Sequence, residues 1–275
     1  MTPNELFSLD GKVALITGGA TGIGRMAAIG LMKAGAHVFI ASRKQGVCEA
    51  VAAELNEMGT SGEATGFIGD VGSAAGVAAL TEEVTKRTDT LNILMNNAGL
   101  TWGAELGKFP FEAWEKVQSV NNAGLFHLTQ SLLPMLIKSA TLDDPSRVVN
   151  VGSVMGDAPL GDGAYSYAAS KAAVHQITKI MAKELAEKYV TVNALAPGPF
   201  VSRMTAFATA DEAADYRQRL LNGLGWGDAK QELFEYLDAH LTGPRAEYER
   251  LSADAGYVES VLKKGAERAR STTSD

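Results

Sequence analysis

The chain has 275 residues, 46% of them hydrophobic and 21% charged, with a formal net charge of −7. That composition is globular rather than disordered, and the acidic balance disfavours nucleic acid or an anionic membrane as a partner. Cys48 is the only cysteine, which excludes an internal disulfide and suits a reducing cytoplasm. Residues 1–10 carry acids instead of a basic and then apolar run, so no signal peptide is expected. No segment approaches the roughly 18–20 uninterrupted apolar residues of a membrane span. His37, His127, His175 and His240 are scattered without ligand spacing, so no metal site is expected.

Residues 12–17 form a short β-branched run ending in glycines, the pattern of a strand buried on both faces. A helix is predicted over 22–33, with Gly35 just past its end. A strand follows at 37–41. The alternation then repeats: helix 45–58, strand 64–68, helix 72–86, strand 91–95. A long helix over 111–137 leads to a strand at 147–151. A second long helix over 164–188 leads to a strand at 190–195. Strands separated by helices must pair in parallel, because the crossover needs a dozen or more residues. The expected fold is therefore an α/β, doubly wound parallel sheet of Rossmann type.

The alternation stops after Pro197-Gly198-Pro199. Beyond Thr205 no strand is read, and 211–221, 228–241 and 247–264 read as amphipathic helices. The chain is thus expected to divide into a dinucleotide-binding and catalytic domain over 1–204 and an all-helical appendage over 205–275.

Thr17-Gly18-Gly19-Ala20-Thr21-Gly22-Ile23-Gly24 lies between the first strand and its helix. Glycines there permit a sharp turn and close approach of backbone to a pyrophosphate, with the helix N-terminus offering free N–H groups. Gly18, Thr21, Gly22, Ile23 and Gly24 are the candidate contacts. At the end of the second strand an acid would favour the ribose 2′-OH of NAD. This chain instead has Ser42-Arg43-Lys44, whose hydroxyl and cations suit a 2′-phosphate, so NADP(H) is the expected cofactor.

Tyr167 and Lys171 stand at i, i+4 and share a helical face. A phenol titrating near 10 must be lowered to exchange a proton near neutral pH, and an adjacent ammonium can do this. Ser153, at the end of the preceding strand, is placed to hydrogen-bond a substrate oxygen.

Together these motifs resemble the short-chain dehydrogenase/reductase family from Phe7 to about Met204. Asp70-Val71 resembles the family's adenine-contacting pair. Asn96-Asn97-Ala98-Gly99 resembles its strand-four motif, with Asn97, Ala98 and Gly99 bordering the cofactor. Asn121, Ser153, Tyr167 and Lys171 match its catalytic tetrad, and Pro197, Gly198 and Ser202 match the segment over the nicotinamide. The resemblance implies hydride transfer to a carbonyl carbon, with Tyr167 donating the proton and Ser153 polarising the oxygen. Lys171 is implied to bind the nicotinamide ribose and lower the Tyr167 pKa, and Asn121 to hold a water behind it. Tyr167 and Lys171 thereby also count as cofactor contacts. A homodimer through the two long helices is implied as well.

The segments Ala98-Gly99-Leu100-Thr101-Trp102-Gly103, Trp114-Glu115-Lys116-Val117, Ala164-Tyr165-Ser166-Tyr167 and Ala172-Ala173-Val174-His175-Gln176 are most similar to 3-oxoacyl-thioester reductases of the rhamnolipid-pathway type. That implies a β-keto substrate; Trp102 fits either the pocket or plain packing.

The family's seventh strand and its substrate lid are not read in this sequence. The tail, from about Ala206, resembles the helical C-terminal segment of bacterial tryptophanyl-tRNA synthetases at Gly225-Trp226-Gly227-Asp228-Ala229-Lys230-Gln231, Ala246-Glu247-Tyr248-Glu249-Arg250-Leu251 and Lys264-Gly265-Ala266-Glu267-Arg268-Ala269-Arg270. The nucleotide-binding signatures of such synthetases are absent, which excludes aminoacylation. From Thr205 onward nine Lys/Arg face thirteen Asp/Glu, which works against a tRNA contact. An alternative stays open at this point: an NADP(H)-binding protein with little catalysis, its lid and last strand missing.

Overall fold

The structure, a computed structural model, describes residues 7–44, 46–158 and 163–198, together with Arg250, Gly256, Tyr257 and Ser260. The chain divides into two compact units, Met1–Phe207 and Ala208–Asp275. Of the predicted tail helices, 211–221 and 228–241 lie outside the described residues. Within 247–264 the four described residues are helical.

In the first unit, strands and helices alternate as the periodicity requires. β1 (Val13–Thr17) is followed by α1 (Gly22–Lys33), β2 (His37–Ser42), α2 (Val47–Asn56), β3 (Glu63–Ile68) and α3 (Ala74–Arg87). β4 (Ile93–Asn96), α4 (Phe111–Gln118), α5 (Leu125–Ser139), β5 (Ser146–Val151), α6 (Tyr165–Leu185) and β6 (Val190–Leu195) complete it. All pairings are parallel, in the order β3-β2-β1-β4-β5-β6. Among the described residues β6 is an outer strand.

The strands alternate their side chains between two buried clusters, as the pleat demands. Leu15, Phe39, Phe67, Leu94 and Val148 face one cluster, which α3, α5 and α6 cover with Leu80, Val84, Leu128, Leu132, Leu136 and Leu185. Ala14, Ile16, Val38, Ile40, Ile93 and Met95 face the other, which α1 and α2 cover with Ala28, Met32, Ala52 and Leu55. Each fully buried Leu, Ile or Phe contributes about 1.5–3 kcal/mol relative to exposure. Strand order reverses between β1 and β4, which opens a crevice beyond their C-terminal ends. The candidate residues gather along those ends.

The long helix expected over 111–137 runs without a gap from Phe111 to Ser139, with a π turn inside it. α4 and α5 are joined by a π-helical turn, Ser119–Gly124. That turn packs closely: a Cβ on Gly124 would stand 2.1 Å from the carbonyl oxygen of Val71. The wider turn carries Asn121, 1% exposed, into the interior.

Candidate active site

The first half of the site is the turn after β1. Gly18 and Gly22 adopt φ of +66° and +54°, a region L side chains rarely enter. Gly24 is needed for contact rather than conformation, since a Cβ there would lie 2.5 Å from Asn97 Nδ2 and 2.6 Å from the Gly18 oxygen. Asn97 braces the turn by donating through Nδ2 to the carbonyl oxygens of Thr17 (2.9 Å) and Gly18 (3.1 Å). Thr17 returns the contact: its Oγ1 accepts the backbone N–H groups of Asn97 and Ala98 at 3.1 and 3.0 Å. Sequence reasoning gave Thr17 no role beyond the turn; the signal was a hydroxyl ending an apolar strand. α1 begins at N-cap Thr21, whose side chain makes no capping bond, and its first turn holds no acid. A helix N-terminus so left, with Gly22 and Ile23 in its first turn, fits an anionic diphosphate.

Ser42 closes β2, and Arg43 and Lys44 beyond it are exposed and in no ion pair among the described residues. Cys48 Sγ donates to Ser42 Oγ at 3.0 Å, while burial pushes the thiol up from its ordinary value. After β3, the Asp70 carboxylate accepts the Gly72 N–H at 3.0 Å, and Val71 is buried against the π turn. These loops stand beside the glycine turn, as the sheet order requires, and fit the adenosine half of a dinucleotide.

The second half lies at the end of β5. Ser153 caps a 3-10 turn, Val154–Gly156, and its Oγ accepts the Met155 N–H at 3.2 Å. Tyr167 and Lys171 sit on the first turns of α6, with Lys171 Nζ 5.5 Å from the Tyr167 ring centroid. Burial pushes the Tyr167 phenol above the usual tyrosine value, and its hydrogen bond with Ser153 pulls the other way. Lys171 is 5% exposed, and burial lowers its ammonium to about 8. The net direction is upward, opposite to the lowering that the resemblance implies, because burial outweighs the Ser153 bond. The lysine is itself desolvated, and its proton is held by the Val151 carbonyl oxygen at 2.6 Å.

Asn121 does not spend its side-chain amide on Lys171. Its Oδ1 accepts the Leu100 N–H (2.9 Å), and its Nδ2 donates to the Leu100 oxygen (3.0 Å) and Ser170 Oγ (2.9 Å). The amide thus fastens the loop after β4 to α6. Gly99 lies between Asn121 and Lys171: a Cβ there would be 3.4 Å from Asn121 Oδ1 and 3.6 Å from Lys171 Nζ. The Pro197 oxygen accepts the Val154 N–H at 3.1 Å, which brings Pro197 and the exposed Gly198 to the same end of the sheet. Ser202 lies outside the described residues. Among the described residues, no cluster of His, Cys, Asp and Glu has the makings of a metal site.

The profile of the short chain dehydrogenases matches residues 12–213, most of the chain. The chain belongs to the short chain dehydrogenase family. The match runs past residue 204, where the sequence reading ended the core. This short chain dehydrogenase is 44% identical over 208 residues to the rhamnolipids biosynthesis 3-oxoacyl-[acyl-carrier-protein] reductase of Pseudomonas aeruginosa, covering 76% of this chain and 80% of that one. It is 33% identical over 230 residues to the 5-keto-D-gluconate 5-reductase of Escherichia coli K12, covering 83% and 87%. Among solved structures, the Pseudomonas aeruginosa RhlG/NADP active-site complex matches with a TM-score of 0.72 at 43% identity, over 78% of this chain and 82% of that one. An Agrobacterium tumefaciens 3-oxoacyl (acyl-carrier-protein) reductase with NADP bound matches with a TM-score of 0.70 at 30% identity, over 82% and 84%. The chain is accordingly an oxidoreductase of the short chain dehydrogenase type. No described helix is long and apolar enough to cross a membrane.

Proposed function

We propose that this short chain dehydrogenase is an NADP(H)-dependent reductase that converts the ketone of a 3-oxoacyl thioester to a hydroxyl. The observation that carries the reading is the meeting of Ser153, Tyr167 and Lys171 at the end of β5, with an uncapped helix N-terminus after β1 and two exposed cations after β2 that make no ion pair among the described residues. The names of the most similar relatives support both the cofactor and the substrate class. Gly18, Thr21, Gly22, Ile23 and Gly24 hold the diphosphate in this reading, and Ser42 and Arg43 hold the 2′-phosphate. Asp70 and Val71 border the adenine. Asn97, Ala98, Gly99, Pro197, Gly198 and Ser202 border the nicotinamide half.

The bound nicotinamide supplies the hydride. The chain's own work is to grip the carbonyl oxygen and give it a proton. The Ser153 hydroxyl donates to that oxygen and fixes its place. The Tyr167 phenol, kept protonated by burial, gives the oxygen its proton as negative charge develops there. Lys171, near its own titration point, restores the proton from behind and binds the nicotinamide ribose. Asn121 holds the loop that forms the far wall.

The two-part organisation, with a catalytic domain over 1–204 and a helical appendage over 205–275, belongs to the same proposal, as do a cytoplasmic setting and a homodimer. Exposed Trp114, Phe126, Ile137 and Ile180 on α4, α5 and α6 are apolar surface that a second copy would cover.

The test is NADPH consumption with a short 3-oxoacyl thioester beside Tyr167→Phe. Turnover that falls by about 10²–10⁴-fold in the variant is the expected result. Nucleotide binding without turnover in either protein would replace the reductase with a nucleotide-binding protein.

A further inference from the structure

Tyr167, Lys171 and His175 follow one another at i, i+4 and i+8 on α6, and the third is not part of the chemistry described so far. Its ring occupies a slot cut by two glycines that flank Ser153 in the chain. A Cβ on Gly152 would lie 2.2 Å from His175 Nε2, and one on Gly156 would lie 2.8 Å from Cε1. The ring is aimed within that slot. Nε2 accepts the backbone N–H of Ser153 at 3.4 Å, and Nδ1 faces Asp157 Oδ1 at 3.1 Å. An Nε2 that accepts from Ser153 leaves the ring proton on Nδ1, where the Asp157 carboxylate takes it. The side chain is 11% exposed, against 72% for Asp157, so a buried imidazole is tethered by an exposed acid.

We propose that His175 is a positioning residue for Ser153: its ring holds the Gly152–Gly156 segment against α6 and so sets where the Ser153 hydroxyl points. The inference rests on the reductase reading for its kinetic consequence but not for its structural one. The two ring nitrogens do different jobs, and two amide side chains separate them. Gln places an amide oxygen near the Nε2 position and keeps an acceptor for Ser153. Asn reaches only the Nδ1 position and keeps the Asp157 contact alone. Leu fills the slot and does neither.

The experiment compares His175→Gln, His175→Asn and His175→Leu by steady-state kinetics with NADPH and a 3-oxoacyl thioester. The expected result is a kcat about tenfold lower for Asn and Leu with the KM for NADPH unchanged, and largely restored kcat for Gln. A loss as large in Gln as in Leu, or none in any variant, overturns the proposal. A second readout needs no turnover. The Tyr167 phenol is titrated by ultraviolet absorbance, as the difference between each protein and its Tyr167→Phe counterpart. Displacing Ser153 removes a hydrogen bond that lowers the phenol, so Leu and Asn shift the titration upward and Gln does not. An unmoved titration in His175→Leu overturns the proposal even if the wild-type chain reduces nothing, whereas an inactive wild type with a shifted titration overturns only the reductase reading.

Discussion

Lys171 Nζ donates to the carbonyl oxygen of Val151 at 2.6 Å, so the buried ammonium at the start of α6 is tied to the last residue of β5. One bond satisfies a charge that burial makes costly, and the cost shows in a titration lowered from 10.5 to about 8. Below pH 8 the lysine is protonated in both folded and unfolded chains, and the folded state bears the full desolvation penalty. Between about 8 and 10.5 the unfolded chain binds more protons than the folded one, so stability rises with pH across that window.

Replacing the lysine isolates this cost. Lys171→Met should be more stable than wild type at pH 7. The ceiling is about 3 kcal/mol from the shift, offset by about 1 kcal/mol for the lost bond to Val151. The advantage should narrow by pH 10, while turnover is lost. Urea unfolding of both proteins at the two pH values checks it. A variant less stable than wild type at pH 7 would mean that the ammonium is better solvated than its burial implies.

The glycines of the first turn separate by mechanism. Gly22→Ala meets open space and incurs only left-handed strain, about 1–2 kcal/mol. Gly24→Ala drives a methyl against Asn97 Nδ2, a side-chain end that can turn away only by leaving its bonds, and against the Gly18 and Gly19 backbone, which cannot. Its expected cost is at the upper end of the about 1–3 kcal/mol of overpacking, with the brace from Asn97 broken as well. Thermal or urea denaturation ranks the two, and equal losses would refute the contact argument.

In the proposed reading Arg43 carries the choice of nucleotide. It stands exposed beyond β2 and makes no ion pair among the described residues. Arg43→Ala should weaken NADPH by about ten- to hundredfold, the span of one charge-assisted hydrogen bond, and leave NADH nearly unchanged. Titrating both nucleotides into both proteins decides it. A parallel loss for the two would move Arg43 away from the 2′-phosphate.

These residues differ in how far the sequence alone exposed them. The strand and helix order was legible because parallel strands buried on both faces leave unbroken apolar runs, and the phosphate turn because glycines follow such a run. The spacing of Tyr167 and Lys171 puts them on one helical face but says little alone; they stood out through the family motifs around them. The π turn at Asn121 was not legible, because no residue type marks one, and its packing of Gly124 over Val71 joins segments far apart in the chain. Nor was the source of the phenol's tuning, since the burial of Tyr167 and its bond with Ser153 are tertiary properties. His175 appeared only as a residue within a resembling segment; its slot exists because Gly152 and Gly156 come back against the helix. The contacts within the tail fall almost wholly outside the described residues.

The same limit hid a buried polar ladder that runs from α5 across β4 and β5 to α6. Asn96, at the end of β4, donates through Nδ2 to Thr129 Oγ1 on α5 and to Asn150 Oδ1 on β5, both at 2.9 Å. Asn150 donates in turn to Thr178 Oγ1 on α6 at 2.9 Å, and that hydroxyl donates to the Val174 oxygen at 2.7 Å. Asn150 is fully buried, so each group depends on its neighbour rather than on water. Asn150→Ala takes one hydrogen bond each from the Asn96 amide, which keeps Thr129, and from Thr178, which keeps Val174, at about 0.5–1.5 kcal/mol apiece. Asn96→Ala removes the shared bond from the other side, so the second substitution should cost less once the first is made. A double-mutant cycle by urea unfolding should return a coupling of about 0.5–3 kcal/mol. The ladder ends beside the two elements that carry Asn97 and Lys171. A strong coupling would therefore mean that the two halves of the site are held in register through the sheet. Costs that simply add would mean that each half is positioned by its own packing.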